Sequence, residues 1–247
     1  SPPPAAEIIR KIFYNMFIFE DHLVHFYYLG GPDFIVGPDA PPAERNSVGV
    51  YVYGNSECGC FSTISTYAEP TIRHCEFVDN ACGLRVHGRA YAAFHYPTLL
   101  GSASPVVTDC LFVGNATAIR CDARTYRQWN QTGNRAKALP VVRNCVIRNA
   151  DCGVYLYAKG EPGNNTYVRP RLENVVIQDC ALGIELDSDA NGWVEPVVLN
   201  SALVGCEVAI IERDGGVTAS SFRYSGFWDN DALCTGCVPS LGRLDIV

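Results

Sequence analysis

The chain has 247 residues, a formal net charge of −7 and hydrophobic residues at 48% of positions, with a sequence pI near 5.2. An acidic balance of this kind argues against nucleic acid or an anionic membrane surface as the partner. No apolar run of the roughly 18 residues that a membrane helix needs is present, so membrane insertion is not expected.

Residues 1–46 stand apart from the rest of the chain. The opening SPPPAAE is neither a charged nor an apolar signal region, so no signal peptide is read in this chain. Glu7 to Leu29 then reads as one amphipathic, aromatic-rich helix, stopped by Gly30, Gly31 and Pro32. A Pro/Gly-rich connector, GGPDFIVGPDAPPAERN, leads into a first strand at Val48–Tyr53. Such a helix suits a cap over the open end of a repeat domain spanning 47–247.

From Pro70 to Gly216 one short phrase is written five times: PTIRHCEFVDNACGLRVHG, PVVTDCLFVGNATAIRCDA, PVVRNCVIRNADCGVYLYA, PRLENVVIQDCALGIELDS and PVVLNSALVGCEVAIIERD. Its prolines, Pro70, Pro105, Pro140, Pro170 and Pro196, are 35, 35, 30 and 26 residues apart. Regular self-similarity with length variation confined to one place marks a solenoid. Apolar columns follow each proline: Ile72, Val107, Val142, Leu172 and Val198, then Phe77, Phe112, Ile147, Ile177 and Leu203, then Leu84, Ile119, Val154, Ile184 and Ile210. Local alternation makes each segment a short strand with alternate side chains buried. Between the first two columns stand His74, Asp109, Asn144, Asn174 and Asn200, mostly residues that tolerate a left-handed backbone and so suit a corner. A second corner is expected near Gly83, Ala118, Gly153, Gly183 and Ala209. The coil thus reads strand, corner, strand, corner, strand, long loop, with third strands ending at Val86, Cys121, Leu156, Leu186 and Glu212.

The pattern resembles the right-handed parallel β-helix repeat proteins, the group that includes pectate-lyase-like enzymes, over about residues 47–247. The fold class expected is therefore all-β: a right-handed parallel β-helix, a single-stranded solenoid of about 6–7 coils, with an N-terminal amphipathic helix. The closing YSGFWDN phrase resembles a β-helix coil that usually continues, so a truncated chain is expected.

Twelve cysteines occur. Cys75, Cys110 and Cys145 fall in one inward column and Cys82 and Cys152 in another, so they read as reduced core thiols packed like small hydrophobes. Cys58, Cys60, Cys234 and Cys237 lie outside the columns; a single CxxC is weak support for zinc, and a local disulfide or idle thiols is expected.

Residues 7–50, EIIRKIFYNMFIFEDHLVHFYYLGGPDFIVGPDAPPAERNSVGV, resemble an internal stretch of the nickel–iron hydrogenase large subunit, with its DHxxHFYxLxxPD helix and RNxxGV follow-on. In that family four cysteine thiolates from two CxxC motifs hold the nickel. No upstream CxxC exists here and Cys234–Cys237 does not follow an Asp-Pro, so no metal ligands are carried over, no nickel or iron is expected, and His22 and His25 receive no role. A chimeric chain is one reading.

Outward positions on the third strands form two columns: Arg85, Arg120, Tyr155 and Glu185, then His87, Asp122, Tyr157, Asp187 and Arg213. Coils about 4.8 Å apart let neighbours act on one ligand. With Tyr126 and Trp129 on the long loops, this combination suits a hydroxyl-rich or acidic polysaccharide: sugar faces stack on aromatics and Arg pairs with carboxylates. A lyase would use Arg85 or Arg120 with Asp122; a hydrolase needs two carboxylates, for which Glu185 with Asp187 or Asp122 are the candidates. The paired Asp-Asp, Gly-His-Gly and Trp-Ile-Asp-His phrases of pectin-active enzymes are absent. The alternative is a non-catalytic structural or adhesion solenoid whose columns only form cross-coil ion pairs. Asp187, Asp189, Asn191 and Glu195 match half of an oxygen-rich Ca²⁺ loop, the competing reading being an Asx-rich turn. Asn115, Asn130 and Asn164 open glycosylation triplets. An extracellular or surface location is expected; the oligomeric state is left open.

Overall fold

The computed structural model describes residues 48–58, 64–92, 98–127, 132–213, 217–218, 220–236 and 241–242. The helix read over Glu7 to Leu29, with His22 and His25, lies outside them. Every described element is a strand. The strands form four sheets of seven, six, seven and six members, and each strand pairs in parallel with its counterpart one repeat further on. This is a parallel β-solenoid.

Sheet I holds the long strands, Val50–Cys58, Cys82–Ala92, Thr117–Arg127, Cys152–Lys159, Leu182–Ser188, Val208–Glu212 and Ala232–Thr235. Sheet II runs from Ile64–Ala68 through Leu99–Ala103, Arg135–Ala138, Asn165–Val168 and Gly192–Val194 to Val217–Thr218. Sheets III and IV are built from three-residue strands such as Val141–Arg143 and Val146–Arg148. The coil therefore has four strands, not three. Sheet II occupies part of what reads in sequence as long variable loop, and the sheet I strands run on to Ala92, Arg127 and Lys159 rather than stopping at Val86, Cys121 and Leu156.

The corner between sheets III and IV is where the sequence puts it. His74, Asp109, Asn144, Asn174 and Asn200 all have φ between 48° and 55°, a conformation costing most L-residues about 1–2 kcal/mol. Their backbone N–H groups still donate to the next coil, as Asn144 does to Glu173 O at 3.0 Å. Their side chains also stack, Asn174 Nδ2 donating to Asn144 Oδ1 at 3.1 Å. The second corner is not at Gly83, Gly153 and Gly183. It lies earlier, at Asp79, Gly114, Asn149, Asp179 and Gly205, all with positive φ. Gly83 is small for a different reason: a Cβ there would sit 2.7 Å from Ala118 O and 3.0 Å from the Phe112 ring.

The three apolar columns fill the interior, with Val107, Phe112, Leu84, Val154 and Ile184 at 0% exposure, and Phe77 and Phe112 stack at 4.5 Å. Cys110 and Cys145 are buried and free, as are Cys82, Cys121, Cys152, Cys180 and Cys206; Cys75, also free, is half-buried. These thiols act as core filler. Burial pushes Cys82 and Cys152 up to about 12, so they stay protonated. Cys234 is disulfide-bonded. Cys60, Cys237 and the Cys58 side chain lie outside the described residues.

Beyond the core the solenoid narrows. A Cβ on Gly54 would meet Ser102 O at 2.0 Å, and one on Gly88 would meet Lys137 O at 2.0 Å. Sheets I and II therefore touch backbone to backbone at Gly54 and Gly88, where any Cβ would collide. That contact carries the long strands outward and gives sheet I its broad exterior.

Candidate functional site: an arginine–tyrosine face on the long-strand sheet

Parallel in-register pairing sets outward side chains of sheet I one above another. The first column is Tyr51, Arg85, Arg120, Tyr155, Glu185 and Ile211; the second is Tyr53, His87, Asp122, Tyr157 and Asp187. A third, Asn55, Arg89, Arg124 and Lys159, and the pair Tyr91 and Tyr126 continue the face. Sequence reasoning found the first two columns and missed Tyr51, Tyr53, Arg89 and Arg124. The signal was available: GVYVYG alternates in phase with GLRVHG and AIRCDA, and the alternation continues past Val86 and Cys121.

The face differs in depth from the expected solvated surface. Asp122 is fully buried beneath the arginines. Its Oδ2 accepts from Arg85 Nε and from Arg120 Nε, each at 2.9 Å, and Arg124 Nη2 stands 4.0 Å from its Oδ1. Burial alone would raise its pKa, but the hydrogen bond and charge of Arg120, with Arg85, outweigh that and hold it below the ordinary carboxylate value. Asp122 is a fixed counter-ion. The guanidinium groups lie on tyrosine rings: Arg85 is 5.3 Å from the Tyr51 centroid, Arg120 4.8 Å from Tyr155, and Arg124 4.9 Å from Tyr157. Arg89 lies 5.5 Å from Tyr91 and 5.3 Å from Tyr126, and its Nη1 donates to Tyr53 Oη at 3.1 Å. Such stacking fixes each guanidinium plane at modest entropic cost.

His87 is also buried. Its Nδ1 shares a 2.7 Å hydrogen bond with Tyr51 Oη, and its ring packs 5.1 Å from Tyr53. Desolvation pulls its pKa down to about 3, so the imidazole is neutral at physiological pH. Burial likewise raises Tyr51 to about 12, keeping the phenol protonated.

In the later coils the columns carry separate pairs. Tyr155 Oη donates to Asp187 Oδ2 at 3.0 Å, and Arg213 Nε donates to Glu185 Oε1 at 2.8 Å. Thus Arg85, His87, Arg120, Asp122, Tyr155 and Tyr157 converge on one network, while Glu185, Asp187 and Arg213 form its margin. Tyr126 is half-buried beneath Arg89; Trp129 lies outside the described residues.

Three of the four residues read as a Ca²⁺ loop, Asp187, Asp189 and Glu195, have partners within the chain. Asp189 Oδ1 accepts from the backbone of Gly160 at 2.9 Å and of Asn191 at 3.1 Å, the Asx turn of the competing reading. Asp187 is held by Tyr155 and Glu195 is paired with Arg169. No cluster of three or more His, Cys, Asp or Glu residues suited to a metal occurs among the described residues. Two of the glycosylation triplets are also unsuitable. Asn115 and Asn164 are 1% and 2% exposed, and Asn115 Nδ2 donates to Phe77 O at 2.8 Å. Asn130 lies outside the described residues.

A parallel β-solenoid with a preorganised arginine–tyrosine face is the class that fold and site define. No known family profile matches the chain, and no solved structure matches it. Similarity to curated proteins is short. The chain is 52% identical over 48 residues to the vhu A-subunit of the F420-non-reducing hydrogenase of Methanococcus voltae, covering 19% of this chain and 11% of that protein. It is 46% identical over 48 residues to the protein of the same name from Methanocaldococcus jannaschii, covering 19% and 12%. With the iron-sulfur A-subunit of the F420-non-reducing hydrogenase of Archaeoglobus profundus it shares 49% identity over 49 residues, covering 20% and 10%. The chain thus spans about a tenth of the length of the curated relatives it matches. No helix among the described residues is long and apolar enough to cross a membrane.

Proposed function

We propose that the protein is an extracellular or surface β-helix that binds polysaccharide along the outer face of sheet I. The observation that carries this reading is a set of four arginines laid on tyrosine rings, Arg85, Arg120 and Arg124 around the buried Asp122 and Arg89 against Tyr91 and Tyr126. Oriented guanidinium groups offer paired donors to carboxylate or hydroxyl oxygens, and phenol rings offer faces and edges to sugar rings. Binding is better supported than cleavage. A lyase base at Asp122 would be buried and doubly ion-paired, and the hydrolase candidates Glu185 and Asp187 each already accept a hydrogen bond. The helix is taken as right-handed, with about six to seven coils, because parallel crossovers are right-handed in about 98% of cases. The test is a panel of polyuronates and neutral glycans, assayed for binding and for new chain ends with and without EDTA. Arg85→Gln with Arg120→Gln should weaken binding about tenfold or more. Absence of binding to every glycan would leave a structural or adhesion solenoid. New chain ends would restore the enzyme reading, and their loss in EDTA would restore calcium.

A second reading concerns the 46–52% identity to hydrogenase subunits. We assign it to residues 7–50, taken as a helix and connector of nickel–iron hydrogenase large-subunit type joined to the β-helix of 47–247. Metal analysis of the full chain tests the accompanying expectation of no bound nickel or iron.

A further inference from the structure

Several basic residues on the outside of the solenoid meet a carboxylate. Arg143 and Arg171 share Glu173, Arg169 meets Glu195, and Arg213 meets Glu185. Among the described residues Arg135 and Lys137 do not, nor do Arg73, Arg148, Lys159 and Arg223, but Arg135 and Lys137 stand together on one strand. They project from the same side of one strand of sheet II, Arg135 exposed and Lys137 half-buried, with Ala136 and Ala138 turned inward. Register fixes what each sees. The column neighbours of Arg135 are Leu100 and Asn165, and those of Lys137 are Ser102 and Tyr167. Neither cation faces an acid on an adjacent strand, and neither forms an ion pair among the described residues.

The two cations stand in a concavity. Arg135, Lys137, Leu139, Asn165, Tyr167 and Arg169 line a depression of about 380 Å³. Its lining carries three cations and no carboxylate. Its wall is rigid: Tyr167 stacks on Trp193 with centroids 5.1 Å apart, and the Arg169 guanidinium lies 4.8 Å from the Tyr167 centroid. Arg169 is tied down by Glu195, so the unneutralised charge is that of Arg135 and Lys137. Two like charges on one face of a strand repel, and an anion between them relieves that repulsion.

We propose that this depression is a binding site for the tetrahedral oxyanion of a phosphate or sulfate ester on a sugar-sized ligand. Arg135 supplies a planar fork of donors for two ester oxygens and Lys137 a point charge for the third. Asn165 and Tyr167 also line the depression and are the groups that would face the sugar ring. The site lies on a different sheet from the arginine–tyrosine face and does not depend on that reading.

The test is calorimetric titration of the full chain at low salt with glucose 6-phosphate, glucose 6-sulfate, inorganic phosphate, inorganic sulfate and glucose. One or both sugar esters should bind with a dissociation constant of about 1 mM or tighter, glucose should not, and added salt should weaken the binding. Preference between the two esters identifies which anion the site takes. Arg135→Gln and Lys137→Gln should each weaken ester binding about tenfold and together about a hundredfold. Arg135→Lys should fall between wild type and Arg135→Gln, because it keeps the charge and loses the fork. The thermal unfolding midpoint of each variant, expected to match wild type, separates lost binding from lost folding. The proposal fails if neither ester binds the wild type or if glucose binds as well as the esters. It also fails if only the inorganic ions bind, or if the folded double variant binds like wild type.

Discussion

Two halves of sheet I share one register and one column pattern but use charge differently. In the first coils Asp122 is fully buried and serves Arg85 and Arg120, whose side chains are 30% and 32% exposed. In the later coils Glu185 meets Arg213, with side chains 14% and 51% exposed. Strand length accounts for the difference. Cys82–Ala92 and Thr117–Arg127 are eleven residues long, whereas Leu182–Ser188 has seven and Val208–Glu212 five. The longer strands bring further rows of Arg and Tyr over the second column and shield it from water; the shorter ones leave their pair at an edge. An ion pair on the same sheet face is thus a desolvated network where the carboxylate lies in the second column beneath long strands, and a surface contact where it lies in the first column beside short ones.

The largest effect expected from this contrast is at Asp122. Asp122→Ala leaves Arg85 and Arg120 crowded around a missing counter-ion, and the loss should be about 3–4 kcal/mol by urea unfolding. A loss under about 1 kcal/mol would mean that water already screens the network as it does an exposed pair.

His87 gives the next effect, and it depends on pH. Its pKa is depressed from 6.5 to about 3 in the folded protein, so between those values the unfolded chain binds a proton that the folded chain does not. The contribution of neutral His87 is therefore fully present above pH 6.5 and is lost as pH falls toward 3. Between pH 7 and 4.5 the loss should reach roughly 2–3 kcal/mol. His87→Phe should flatten the stability profile over that window. A variant with the same acid slope as wild type would place the titration elsewhere.

The corners supply a smaller effect and show how much of the fold was legible in the sequence. Asn144→Ala should cost about 1–2 kcal/mol, because alanine at φ 52° meets the left-handed penalty that Asn tolerates. Asn144→Gly should cost less, since it keeps the backbone conformation and loses only the side-chain contacts to Asp109 and Asn174. This corner could be read from sequence because one residue type recurs at one place in the phrase for one reason. The second corner was as plainly written, in Asp79, Gly114, Asn149, Asp179 and Gly205, but Gly83, Gly153 and Gly183 compete with it for the same role. A small residue can mark a turn or a close approach, and only the three-dimensional packing separates the two. Column membership at the site was legible from the period-2 alternation. Depth was not, because burial of Asp122 and His87 is decided by side chains folding over them, Arg85 and Tyr51 from neighbouring coils and Arg120 from the same strand as Asp122. Sheet II was hidden for a further reason. Its one apolar column, Ala68, Ala103, Ala138, Val168 and Val194, is made of small residues, and the column beside it, Thr66, Gly101, Ala136, Thr166 and Gly192, is small or polar, so the strand shows no run of large apolar residues.

The smallest effect, at Glu185, is the sharpest check on the contrast. Glu185→Gln removes the charge and keeps the shape, leaving Arg213 free to turn into solvent. An exposed pair contributes about 1 kcal/mol or less because water screens the attraction and two long side chains lose entropy in holding one geometry. A double-mutant cycle with Arg213→Gln isolates the interaction from other consequences of each substitution. The coupling should lie below about 1 kcal/mol and shrink further in high salt. A cycle between Asp122→Asn and Arg120→Gln should give several times that value and respond less to salt, since the carboxylate has no contact with water. Equal coupling at the two places would mean that strand length does not set the local dielectric. The arginine–tyrosine face would then be an ordinary solvated surface with no preorganisation to offer a ligand.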